Sequence, residues 1–91
     1  VTHDLPDASF QVLVSTFATQ AAMALGQIPN PVSNQAEEDL QQAKFAIDLL
    51  QVLDEKTQGN RTAEEDKFLQ DCLYQLRMVY IDKSAKKGDA T

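Results

Sequence analysis

Apolar residues recur at three- and four-residue steps in three segments of the chain, and two sharp breaks divide them. In the first segment, residues 9–25, Phe10, Leu13, Val14, Phe17, Ala21, Ala24 and Leu25 fall on one face of a helix. Asp7 or Ser9 can cap its start by accepting a backbone N–H, and Gly26 can take the left-handed conformation past its end. Pro29 and Pro31 then forbid continuation, because each lacks an N–H and restricts the residue before it.

The second segment is expected over residues 35–58. Ser33 or Asn34 is its expected N-cap, and Glu37, Glu38 and Asp39 occupy its first turn, where free N–H groups favour carboxylates. Gly59-Asn60 stops it. The third segment opens on Thr62-Ala63-Glu64-Glu65, the signature of a capping box, and is expected over residues 63–81, with 83–91 as a flexible tail. No stretch alternates with period two for long, so strands have no support. The short Gly59-Asn60-Arg61 connection folds the second and third helices into an antiparallel hairpin. The expected fold is therefore all-α, a three-helix bundle built on a long hairpin and forming a single domain over residues 1–91.

Helical wheels add a second feature. On the second helix Leu40, Ala43, Ala46, Ile47, Leu50 and Leu53 make one apolar stripe, while Phe45, Leu49 and Val52 make another, well round from it. On the third, Phe68, Leu69, Cys72, Leu73, Leu76, Val79 and Tyr80 form the main stripe, and Tyr74, Met78 and Ile81 lie elsewhere. A surface helix ordinarily carries one such stripe. Unless helix one splays and shelters both stripes within the monomer, it covers one side of the hairpin, and Phe45, Leu49, Val52, Tyr74, Met78 and Ile81 are the expected interface with another molecule. The most economical partner is a second copy of the chain, and a homodimer is the favoured oligomer.

Composition narrows the class. The chain has 91 residues, of which 43% are apolar and 24% charged, an ordinary globular usage. A domain this short buries only about 60–65% of its unfolded surface, so its stability margin is thin. Its one cysteine cannot form an internal disulfide framework, and its one histidine, His3, cannot build a histidine-based metal cluster. The formal net charge of −6 argues against a nucleic-acid partner, which requires a basic footprint. The only basic cluster, Lys83, Lys86 and Lys87, reads as a solvated end that suits a helix C-terminal dipole. No apolar run approaches the ~20 residues of a membrane span, and no charged start precedes a short apolar core as in a signal peptide. The expected location is the cytoplasm. Val1 is not methionine, which leaves room for residues upstream.

Candidate chemistry is thin. The acidic triplets Glu37–Asp39 and Glu64–Asp66 are consecutive, point in different directions and are explained by helix first turns. No Glu-x-x-His pair exists to build a di-iron site. Asp48 can pair with Arg77 or simply face water, and the solvated reading is favoured. Cys72 lies on the main apolar stripe, where a thiol packs as a small hydrophobe. The polar connection from Glu55 to Thr62 can hold a small anion or a partner, but capping and turn formation explain its Gly59, Asn60 and Thr62. No catalytic, cofactor or metal residue is expected.

The run Ile47-Asp48-Leu49-Leu50, then Leu53-Asp54-Glu55-Lys56-Thr57-Gln58-Gly59-Asn60-Arg61-Thr62 with Glu64-Glu65, resembles the bacterial proteins grouped as domain of unknown function 1844. Leu73-Tyr74, Leu76-Arg77-Met78, Tyr80 and the Leu25-Gly26-Gln27-Ile28-Pro29 segment share in the resemblance. It spans about residues 10–80, and Arg61, standing where leucine is more usual, is a minor departure. The resemblance implies a small bacterial cytosolic helical protein and brings no activity and no catalytic residues with it.

Three functional expectations follow. The leading one is a non-enzymatic oligomerisation or protein-interaction module. The alternative is a small apolar-ligand or lipid carrier with a pocket between helix one and the hairpin, lined by Phe10, Phe17, Phe68 and Met78. A metal-dependent or thiol enzyme comes last.

Overall fold

The computed structural model describes residues 7–29, 31–36 and 38–89, with side chains through Lys86. Over these residues the chain forms α1 (Phe10–Ala24), α2 (Leu40–Lys56) and α3 (Ala63–Asp89), and no other named element. The three pack into a slab measuring 43 × 35 × 16 Å. Its thinnest dimension matches two helix layers, whose axes lie about 8–10 Å apart.

α1 forms where its periodicity requires. Ser9 is extended, and its Oγ accepts the Val12 N–H at 3.1 Å, so Ser9 rather than Asp7 is the cap. At the other end Gly26 has φ +77°, a left-handed conformation that side chains with a Cβ resist. There the Gly26 N–H reaches the Met23 carbonyl at 3.0 Å, and the Gln27 N–H reaches the Ala22 carbonyl at 2.9 Å. This Schellman pair satisfies two carbonyls that the helix end would otherwise orphan.

α2 begins later than its sequence suggests, at Leu40 instead of near Gln35. Ser33 and Asn34 are not its cap. Asn34 sits in a turn at φ 58°, and Ser33 Oγ accepts the Gln35 N–H at 3.4 Å. Glu38 lies outside the helix, in an antiparallel bridge with Leu25, and Glu37 falls outside the described residues. The Asp39 N–H donates to the Ala24 carbonyl at 2.7 Å, while its side chain caps α2 by accepting the Gln42 N–H at 3.2 Å. The physical reason is a competing demand. The returning chain supplies a donor to the end of α1, and helical geometry starts only once that donor has been used.

α3 opens on the expected capping box. The Thr62 N–H donates to Glu65 Oε1 at 2.9 Å, and the Glu65 N–H donates to Thr62 Oγ1 at 3.1 Å. The helix then runs to Asp89, well beyond residue 81, and takes in most of the segment expected as a tail. Charge explains the extension better than burial. Lys86 pairs with Asp82 one turn back at 3.3 Å, and Lys83 reaches Glu38 at 3.3 Å. Lysines also suit the negative end of the helix dipole.

The core is a single cluster built from the main stripes. Val14, Ala21 and Leu25 of the α1 segment meet Ala43, Ala46, Ile47 and Leu50 of α2 and Leu69, Leu73 and Leu76 of α3, all buried. Each fully buried leucine contributes about 1.5–3 kcal/mol relative to exposure. The alanines let α1 and α2 approach closely. Side-chain pairs between α2 and α3 run in opposite directions along the two helices: Asp54 meets Gln70, Gln51 meets Arg77, and Glu38 before α2 meets Lys83.

Candidate functional site

With the main stripes consumed by the core, the second stripes face outward. Phe45 is 61% exposed, Val52 48%, Tyr74 66%, Met78 51% and Ile81 61%, while Leu49 is half-buried. α1 therefore covers one side of α2 and α3 and leaves the other open. The structure does not merge the six residues into one patch. A polar seam runs between the two stripes. Arg77 donates to the Gln51 side-chain oxygen Oε1, the Gln70 amide donates to Asp54 Oδ1 at 2.8 Å, and Lys44 pairs with Asp48 at 2.8 Å. Lys44, Ile47, Asp48, Arg77, Tyr80 and Ile81 line a shallow cleft along this seam. Phe45 and Val52 each follow a seam residue by one position, which rotates them about 100° further round α2.

Asp48 thus takes the solvated course. Its partner is Lys44, one turn away, and Arg77 is engaged by Gln51. That hydrogen-bonded carboxylate holds the Lys44 ammonium above its ordinary pKa of 10.5. Such exposed pairs contribute little to stability.

A second cleft, of ≈ 470 Å³, opens between α1 and α3. Ser15, Ala18, Thr19 and Ala22 form one wall, Phe68, Asp71, Cys72, Gln75 and Leu76 the other, and Ile28 closes an end. Of the four aromatic and methionine residues named for a ligand pocket, only Phe68 lines it. Phe10 and Phe17 pack against the core, and Met78 points outward on another face. The Cys72 thiol lies half-buried in the cleft wall. Burial, and then the nearby Asp71 carboxylate, push its pKa above the ordinary 9.0, which keeps it a protonated, sluggish nucleophile near neutral pH.

Of the ion pairs among the described residues, the most enclosed lies elsewhere, at the connection between α2 and α3. Arg61, only 8% exposed, places Nη1 2.6 Å from Asp54 Oδ1 and Nη2 3.0 Å from Asp66 Oδ1. Asp54 is 15% exposed and also accepts from Gln58 and Gln70. The Arg61 hydrogen bond is the main cause holding the Asp54 carboxyl below its ordinary 3.8, against the opposing pull of burial. Gly59, at φ +82°, makes the reversal that brings residues 54 and 61 together. Sequence reading passed over this node, because the pair spans a turn and matches no helical spacing. The acidic residue before the turn and the arginine after it were the available signal. Arg61, Gln58 and Gln70 all converge on Asp54 Oδ1, so the node ties the end of α2, the turn and the start of α3 together and reads as a structural brace.

Among the described residues no three His, Cys, Asp or Glu side chains gather as a metal-holding group, and no helix is long and apolar enough to cross a membrane. No curated protein and no solved structure matches the sequence. A family model described as a domain of unknown function (DUF1844) matches residues 7–82, a stretch that contains the core, both clefts and the braced turn. By that match over most of its length, the chain belongs to the DUF1844 family.

Proposed function

We propose that this protein is a non-enzymatic self-association module of the bacterial cytosol, a homo-oligomer with a dimer favoured, whose contacts come from the outer side of an antiparallel α2–α3 hairpin. One observation carries this reading: five large apolar side chains on α2 and α3 are about half or more exposed, on the side that α1 leaves uncovered. The opposed order of the α2–α3 side-chain pairs supports the hairpin. Apolar exposure on this scale in a small domain marks an interaction surface. Burying each such side chain is worth about 1.5–3 kcal/mol, so several must be buried together to meet association costs of about 4–15 kcal/mol. The net charge of −6 speaks against nucleic acid as the partner. Sedimentation equilibrium across micromolar concentrations tests the proposal. A dimer or larger species is expected, and a stable monomer overturns it.

The cleft between α1 and α3 favours a second reading, a carrier of a small apolar ligand. Its floor of Ala18, Ala22, Phe68 and Leu76 is apolar, and its volume is within the range of small-molecule sites. Native mass spectrometry of the purified protein separates the two: a co-purified lipid-sized mass supports the carrier, and a bare protein mass removes it.

A further inference from the structure

The outer face of α3 has a period of its own. Tyr74, Met78, Ile81 and Ala85 follow one another at steps of four, three and four residues, and all four are exposed. That is the 3.5-residue repeat of a coiled-coil seam, and it lies opposite the buried Leu69, Leu73 and Leu76. α3 is therefore built to pack on two sides, with a 27-residue length that gives the outer seam room.

We propose that this seam pairs with the same seam of a second copy, antiparallel, about a two-fold axis level with Val79 and Tyr80. The proposal rests on the self-association reading above and names the surface that performs it. In this register Met78 meets Ile81 of the second copy, and bulky Tyr74 meets its small Ala85. Each contact occurs twice, as a two-fold axis requires.

Charge selects the direction. The start of α3 is acidic, with Glu64, Glu65, Asp66 and Asp71 against Lys67, and its end is basic, with Lys83, Lys86 and Lys87 against Asp82 and Asp89. In this register residues 70–89 of the two helices overlap, so Asp71 is the acidic residue of the start that enters the contact; antiparallel pairing carries it toward the basic end of the second copy, whereas parallel pairing lays it on its own counterpart. Asp71 comes level with the last turn of the second copy's α3, beside Lys86. Both side chains are well exposed and already hold an intrahelical partner, Lys67 and Asp82 respectively, so the contact joins two existing pairs into one network. The α2 stripe of Phe45, Leu49 and Val52 shares the four- and three-residue steps, but its Leu49 is already half-buried, its next position is the charged Lys56, and it lies beyond the polar seam.

Cysteine cross-linking tests the arrangement, in full-length protein carrying Cys72→Ser so that each variant holds a single thiol. Met78→Cys mixed with Ile81→Cys, the position it faces, is expected to form a disulfide-linked dimer on mild oxidation, and Met78→Cys is expected to link more weakly with itself, because its two copies lie within a turn of the axis. Tyr74→Cys alone is expected to stay unlinked, and to link when mixed with Ala85→Cys. Self-linking of Tyr74→Cys as readily as Met78→Cys would mean a parallel pair and overturn the proposal. Linking through Phe45→Cys with none through Met78→Cys also overturns it, while leaving self-association standing. A monomer throughout defeats both. As a second arm, Asp71→Lys is expected to weaken the dimer roughly five- to tenfold through two exposed pairs, and Lys86→Asp added to it is expected to restore the affinity. Absence of that restoration counts against the antiparallel direction.

Discussion

The inner and outer faces of α2 and α3 are made from the same kinds of residue and have opposite fates. Leu50 and Leu73 face inward and are almost wholly out of water, while Phe45 and Met78, as apolar and as large, lie on the other side of the same helices in solvent. Hydrophobicity alone does not decide burial; the number of neighbours does. A chain with a single additional helix has cover for one side of the α2–α3 pair, and α1 spends it on the stripe richest in leucine and alanine.

The sharpest way to separate the faces is to truncate each. Leu73→Ala is expected to cost about 2–5 kcal/mol, a large part of the stability of so small a domain, read as a fall in the urea midpoint. Arg61→Ala comes next. It leaves Asp54 enclosed without its cation, and losing one partner of a buried pair costs about 3–5 kcal/mol, toward the lower end here because Gln58 and Gln70 remain. The same node sets an acid limit. Because Asp54 has its carboxyl held below 3.8 in the folded state, the stabilisation is present above that value and is lost as pH falls through the lower folded value. Asp54→Asn is expected to flatten the drop in melting temperature below about pH 4. Thr62→Ala, which removes half of the capping box, is expected to cost about 1 kcal/mol by the same urea assay. Smallest of all, Met78→Lys measured at concentrations low enough to keep the chain monomeric is expected to change stability by no more than about 0.5 kcal/mol. A loss as large as that of Leu73→Ala would show that the outer face is packed within the monomer, and the contrast between faces would collapse.

Much of this architecture was legible because it follows from local rules. The 3.6-residue periodicity placed α1 to within a residue at each end, and Ser9, Gly26 and the Thr62–Glu65 box act as their chemistry requires. The errors fall where distant parts of the chain compete for a group. Glu38 and Asp39 read as helix because their carboxylates suit a first turn, but the end of α1 claims the Asp39 N–H. The end of α3 read as a tail because its polar sequence has no apolar stripe, and Glu38, far off in sequence, is the partner that Lys83 finds. The Asp54–Arg61 brace was invisible for the same reason. Of the candidate site, the exposed residues were readable from helical wheels. The polar seam that divides them was not, because it depends on how α2 and α3 are set against each other.

Beyond Val79 and Tyr80, Lys83 is the last described residue of α3 that is not exposed, and its anchor is a carboxylate on the chain leading into α2. The far end of the longest helix is thus moored by an ionic latch rather than by grease. Dissolved electrolyte loosens such a latch while leaving the leucine core untouched. The reach of α3 past its docked portion is accordingly a property that brine adjusts.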